Sequence, residues 1–278
     1  MYYKNSQGYN MYYEDRGNKE DQAIIFLHAW GSSMADFTYT LENLEGYRRI
    51  AYDHRGFGRS DKPDRDMSLR HLARDLKELI DHLGLEDVVV VGYSMGACVL
   101  YKYIELFGQY KIKSLVICDM TPRVLNDHEW KLGIMGGRFG HKEFLESLAR
   151  QFDDMTDAYL ELYMDINPEL RGRDNKVLKR VIEMDLTGNS YYSISSMWFS
   201  ICYEDFRHIL KDISVKTGLF FATPGSMINP EVVKYLEENI DHTYVCMFEK
   251  STHSFIGNRP KYFTSELVKF LESLKEEK

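Results

Sequence analysis

The stretch from Asp87 to Ile104 constrains this chain more than any other. Asp87-Val88-Val89-Val90-Val91 is a β-branched run with a charge before it and a glycine after it, the pattern of a strand covered on both faces. Ala97-Cys98-Val99-Leu100-Tyr101-Lys102-Tyr103-Ile104 carries an apolar face at helical spacing. Between them stands Gly92-Tyr93-Ser94-Met95-Gly96, so the pentapeptide occupies a sharp strand-to-helix turn. In that setting G-x-S-x-G reads as a nucleophile elbow. The turn lifts the serine hydroxyl above the carboxyl edge of the sheet. The two glycines let neighbouring backbone come close where a Cβ would collide. A helix starting just past Ser94 aims free N–H groups and a positive dipole end at any oxyanion formed there.

The remaining elements follow from punctuation and periodicity. Aromatic stretches around Gly8, from Tyr2 to Glu14, predict a hairpin. Ala23 to Leu27 and Tyr47 to Tyr52 predict buried strands; the first runs into the loop His28 to Ser33, the second into Asp53-His54-Arg55-Gly56-Phe57-Gly58-Arg59-Ser60. Ser68 reads as the N-cap of a helix striped by Leu69, Leu72, Leu76, Leu79, Ile80 and Leu83 and closed by Gly84. Ser114 to Cys118 is another strand, ending at Asp119. From Arg123 to about Ile213 the texture is helical, with a Phe144-Leu145, Leu148, Phe152 stripe and the clusters Tyr191-Tyr192 and Met197-Trp198-Phe199. Strands return at Gly218–Ala222 and His242–Phe248, with helices at Pro230–Glu238 and Pro260–Lys275. Alternating strands and helices with short connections predict an α/β fold with a mostly parallel sheet covered by helices on both faces. Active groups in such sheets gather at strand carboxyl ends, here marked by His28, Ser94, Asp119 and His253.

At 278 residues there is ample length for a sizeable core. A net charge of −8 without a long basic run argues against nucleic acid and anionic membrane as partners. No apolar stretch approaches the roughly 20 residues that span a bilayer, and Met1 to Ser6 lacks a basic-then-apolar signal. Cys98, Cys118, Cys202 and Cys246 are scattered without C-x-x-C spacing, which reads as reduced core thiols in a cytoplasmic protein. No His/Cys/Asp/Glu cluster has metal-ligand spacing, so neither metal nor cofactor is expected. Arg55-Gly56-Phe57-Gly58 lacks a Walker lysine and is not G-x-G-x-x-G, so it reads as a structural turn.

Taken together, the elbow, the His28-Ala29-Trp30-Gly31 loop, the Asp53-x-Arg55-Gly56-x-Gly58-x-Ser60 turn and the late His253 stand in an order that resembles the α/β-hydrolase fold enzymes over nearly the whole chain. The resemblance is closest to the small esterase, lactonase and cofactor-free haloperoxidase group. It implies a hydrolase core at 1–120 and 214–278 and a helical cap at 121–213. It also implies that Ser94 is the nucleophile and His253 its base. The commoner pattern places the acid after the strand that follows the cap, where Ser226 stands here and no acid is present. Some members carry it one strand earlier, which points to Asp119; Glu249 and Asp205 are lesser candidates. His28 and His54 read as structural.

The oxyanion hole would use the N–H groups of Met95 and Trp30, with Ala29 replacing the usual glycine of His-Gly. Among cap aromatics, Trp130, Tyr191, Tyr192, Trp198 and Phe199 are candidates for an apolar substrate pocket. The expected function is a serine hydrolase acting on small, hydrophobic esters or lactones, with the small-molecule substrate as partner and assembly as a homodimer. A cofactor-free haloperoxidase or perhydrolase is the alternative within the family. A ligand-binding protein with weak catalysis is the rival outside it, motivated by Ser226.

Overall fold

The computed structural model describes residues 1–172 and 174–275. Its elements, in chain order, are β1 (Tyr2–Lys4), β2 (Asn10–Arg16), β3 (Ala23–Leu27), α1 (Thr38–Asn43), β4 (Arg48–Tyr52), α2 (Leu69–His82), β5 (Val88–Tyr93), α3 (Met95–Phe107) and β6 (Ile112–Cys118). Then come α4 (His141–Asp153), α5 (Met155–Ile166), α6 (Asn175–Thr187), α7 (Tyr191–Tyr203), β7 (Thr217–Pro224), α8 (Val232–Asn239), β8 (Thr243–Ser251), α9 (Phe255–Asn258) and α10 (Pro260–Ser273). The eight strands form one sheet in the order β1-β2-β4-β3-β5-β6-β7-β8. The β1–β2 and β2–β4 pairs are antiparallel and every other pair is parallel.

Side-chain alternation along β5 shows why its valine run is continuous. Val88 and Val90 enter the core beneath α2 and α3, while Val89 and Val91 enter the core beneath α1 and α10. Each such side chain contributes roughly 1.5–3 kcal/mol by leaving water. Parallel register aligns the strand ends: Leu27 pairs with Gly92, Tyr93 with Cys118, and Cys118 with Phe220. His28, Ser94 and Asp119, each one residue past its strand, therefore share one edge of the sheet.

Local details differ from the sequence reading in two places. Ser68 sits at the N-cap of α2 with extended backbone, but its hydroxyl does not cap; it bonds His71 Nδ1 at 2.8 Å, and the Leu69 N–H donates to Ser200 Oγ at 2.9 Å. The expected stripe on α4 is only half used. Phe144 is buried, whereas Leu145 is 52% and Phe152 80% exposed. The charged turn after β4 is filled by the protein itself. Arg55 lies buried in a bidentate pair with Asp75, at 2.6 Å for both Nε to Oδ2 and Nη2 to Oδ1. No helix among the described residues is long and apolar enough to cross a membrane.

Candidate active site

Ser94 is forced into an unusual backbone state, φ 52° and ψ −114°, by the turn from β5 into α3. A non-glycine residue there costs on the order of 1–3 kcal/mol, and the surrounding close packing holds it. The Ser94 N–H donates to Cys118 O at 3.0 Å. A Cβ on Gly96 would lie 2.2 Å from Leu27 O, and one on Gly92 would lie 2.6 Å from Gly96 O. Only glycine at both positions lets α3 press this closely against β3 and β5. Met95 heads α3, so its N–H belongs to the first turn, whose donors have no intrahelical acceptor.

Asp119 and His253 meet although 134 positions separate them. Asp119 Oδ2 lies 2.7 Å from His253 Nδ1, within hydrogen-bond reach, and both residues are buried. The other carboxylate oxygen, Oδ1, accepts the Ala222 N–H at 3.0 Å, and the Asp119 N–H donates to Phe220 O at 2.9 Å. One carboxylate oxygen and the backbone N–H of Asp119 are therefore fixed by β7, and the other oxygen by His253. With Nδ1–H donating to the carboxylate, a neutral ring leaves its lone pair on Nε2. The His253 backbone is pinned as well: its N–H donates to Ser226 Oγ at 3.0 Å, and its carbonyl accepts Tyr93 OH at 2.9 Å. Ser226 thus anchors the histidine loop. Glu249 is exposed, and Asp205 is engaged with Arg207 at 2.7 Å; neither contacts the His253 ring among the described residues.

The loop after β3 is built around two residues. His28 Nδ1–H donates to Ala29 O at 2.8 Å, and its Nε2 accepts the His54 N–H at 3.0 Å. That pairing needs a neutral ring, and burial lowers its pKa accordingly, offset in part by Asp53 and Asp36. Asp36, which the sequence reading missed, accepts the Ala29 N–H at 3.1 Å and the Ser32 hydroxyl at 2.6 Å. Burial pushes its carboxyl up, opposed by the Ser32 bond and by His28 and His253. Ala29 is not among the described residues with positive φ, so its methyl group is accommodated; Gly31, φ 71°, makes the left-handed turn instead.

Ser94, Met95, Trp30, His253 and Asp36 all border one cavity of about 470 Å³. Its ceiling comes from α5 and α7. Tyr159, Leu162, Tyr163 and Ile166 present one face of α5, and Trp198 and Ile201 one face of α7; Met120, Val124 and Met227 add further apolar surface. The α5 spacing of three, four and seven was available in the sequence as a helical face. Of the five cap aromatics expected to line a pocket, Trp198 does so. Trp130 does not: its Nε1 donates to Arg123 O at 2.9 Å and its ring packs edge-on against Tyr235 of α8. Tyr191, Tyr192 and Phe199 lie on the outer face of α7, along a separate surface groove with Met67, Leu148 and Phe152. A cluster of aromatics on a helix does not reveal which of them point inward. Among the described residues no group of His, Cys, Asp and Glu could hold a metal ion, and all four cysteines are buried free thiols.

Comparison with known proteins agrees with this architecture. A family profile described as alpha/beta hydrolase fold matches residues 22–260. The chain is 24% identical to the AB hydrolase superfamily protein YisY of Bacillus subtilis over 283 aligned positions, covering 98% of this chain and 99% of that protein. It is 34% identical to a non-heme haloperoxidase of Rhodococcus erythropolis over 122 residues, 43% of this chain and 44% of that one. An esterase structure from Exiguobacterium antarcticum superposes with a TM-score of 0.84 at 24% identity, covering 98% of both chains. With the profile spanning most of its length and the sheet order matching, the chain belongs to the alpha/beta hydrolase fold family.

Proposed function

We propose that the protein is a serine hydrolase that cleaves small, hydrophobic carboxylic esters or lactones. The observation that carries this reading is the 2.7 Å contact between Asp119 and His253 Nδ1, at the cavity that also holds Ser94 at the head of a helix. In the proposed cycle His253 Nε2 takes the Ser94 proton as Oγ attacks the carbonyl carbon. The tetrahedral oxyanion is held by the N–H groups of Met95 and Trp30. His253 then gives its proton to the leaving alkoxide, and the C–O bond breaks to leave an acyl-Ser94. Water, deprotonated by the same imidazole, attacks the acyl carbon; the acid departs and Ser94 recovers its proton. A lactone follows the same path, with the alcohol remaining tethered to the acyl group. Asp119 holds the tautomer and balances the imidazolium throughout. In this reading residues 121–213 act as the cap, and its apolar ceiling selects hydrophobic substrates.

The same contact supports catalysis over a ligand-binding role, because Asp119, one residue past β6, offers His253 a carboxylate where position 226 has none. The partial likeness to a haloperoxidase supports a second reading, in which hydrogen peroxide instead of water attacks the acyl-Ser94 and releases a peracid. Ser94→Ala should abolish p-nitrophenyl acetate turnover in a folded protein, and undiminished turnover would sink the proposal. Peracid formed from acetate and peroxide, set against ester hydrolysis in the same preparation, separates the two readings.

A further inference from the structure

The cavity that holds Ser94 adjoins another towards α4. A second cavity, also about 470 Å³, lies between α4, α5 and the 135–139 turn, and Trp30, Leu162 and Trp198 line both. These three side chains are therefore the partition. Trp198 is the best anchored of them. It is 4% exposed, its Nε1–H donates to Ser147 Oγ at 2.8 Å, and its ring meets Trp30 at 5.2 Å and the edge of Phe139 at 5.7 Å. Trp30 is fixed too, through Nε1–H to Ile194 O at 2.9 Å and a stack on Tyr159 at 5.1 Å. Apolar side chains face both sides of the wall: Met120, Val124 and Ile201 on the Ser94 side, and Met135, Phe139 and Met164 on the far side, where Arg138, Glu146 and Arg150 stand beside them.

We propose that Trp198 is a specificity-determining residue: its indole ends the catalytic chamber and restricts the reaction to esters and lactones whose apolar part stops short of it. The proposal rests on the serine-hydrolase reading and narrows its substrate class. Each methylene that an acyl chain buries in the chamber raises kcat/KM by about fourfold. The methylene that reaches the indole meets a ring fixed by a hydrogen bond and two aromatic contacts. Going further would require displacing that ring to reach the space behind it, where Met135, Phe139 and Met164 offer further apolar surface. Removing the ring joins the two chambers and extends the usable length.

The test is a series of p-nitrophenyl esters from acetate to laurate, measured as kcat/KM on wild type, Trp198→Ala and Trp198→Phe. Wild type should rise with chain length and then fall. Trp198→Ala should keep rising to longer chains, with a decanoate-to-butyrate ratio at least about tenfold above wild type. Trp198→Phe, which keeps an aromatic ring but loses the second ring and the Ser147 bond, should fall between. If the alanine variant fails to fold by circular dichroism, the phenylalanine variant carries the test. A wild type that hydrolyses short esters, with the same length limit in the folded variants, overturns this proposal alone. A wild type that hydrolyses no ester overturns the serine-hydrolase reading and this proposal with it.

Discussion

The carboxylate behind His253 is held by backbone as much as by its partner. Asp119 offers Oδ1 to the Ala222 N–H and Oδ2 to the imidazole, so its rotamer is fixed from both sides. Asp119→Asn keeps the shape but replaces one oxygen by an NH₂ donor, which would favour the wrong imidazole tautomer. With Asp119 in the proposed role, kcat should drop by about 10⁴-fold while KM changes little; steady-state kinetics on a short ester checks this, and near-normal kcat would refute the assignment. Ser226 shows how a missing acid can still leave a side chain with a use. Its hydroxyl accepts the His253 N–H at 3.0 Å. Ser226→Ala should cost about 1 kcal/mol of stability, read as a shift in the urea midpoint.

Elements are joined by two kinds of contact, one steric and one ionic. Gly31 sits in the loop after β3 at φ 71°, and a Cβ there would lie 2.3 Å from the Tyr159 hydroxyl of α5. Gly31→Ala therefore strains the loop and pushes on the cavity ceiling together; ester kcat/KM should fall with it, and an unchanged value would show that loop and ceiling adjust freely. The ionic contact is the clasp between the turn after β4 and helix α2. Asp75 accepts from Arg55 twice and from Asn5 Nδ2 at 2.8 Å, with the guanidinium and carboxylate both buried. Asp75→Ala leaves that guanidinium uncompensated in the interior and should cost about 3–5 kcal/mol, measured by urea unfolding.

For the molecule as a whole, the buried neighbours His28 and His54, with ring centroids 4.4 Å apart, couple stability to pH. Burial holds His54 well below its ordinary value of 6.5, with the neighbouring His28 adding to the effect, and His28 is lowered too. The folded chain keeps both rings neutral, while the unfolded chain binds a proton on each below pH 6.5. Stability is thus complete above that value and is lost as pH falls towards the depressed values, by up to about 1.4 kcal/mol per pH unit for each ring. Asp36 has the opposite sign. Its carboxyl is raised, so its cost to the fold grows as pH climbs above 3.8. Unfolding free energy should therefore fall by about 1–2 kcal/mol between pH 6.5 and pH 5.5. His54→Phe, which removes two ring nitrogens that have no partner among the described residues, should roughly halve that fall; an unaltered slope would place the protons elsewhere.

Local pattern was enough to read the sheet and the residues at its edge. A continuous valine run means burial on both faces, a G-x-S-x-G between strand and helix means a tight turn, and parallel strands bring their carboxyl ends together wherever they lie in the chain. Ser94, Asp119 and His253 could be named from those facts and from the family resemblance, although 134 positions separate the last two. Folding alone settled what depends on the direction of a side chain. Whether Trp198 or Tyr191 faces the Ser94 cavity turns on the rotation of α7, which its packing against α4 and α2 sets and its sequence pattern does not encode. Asp36 and Ser226 could not be read from spacing either, because their bonds run to backbone N–H groups whose positions exist only once the loops have closed around them.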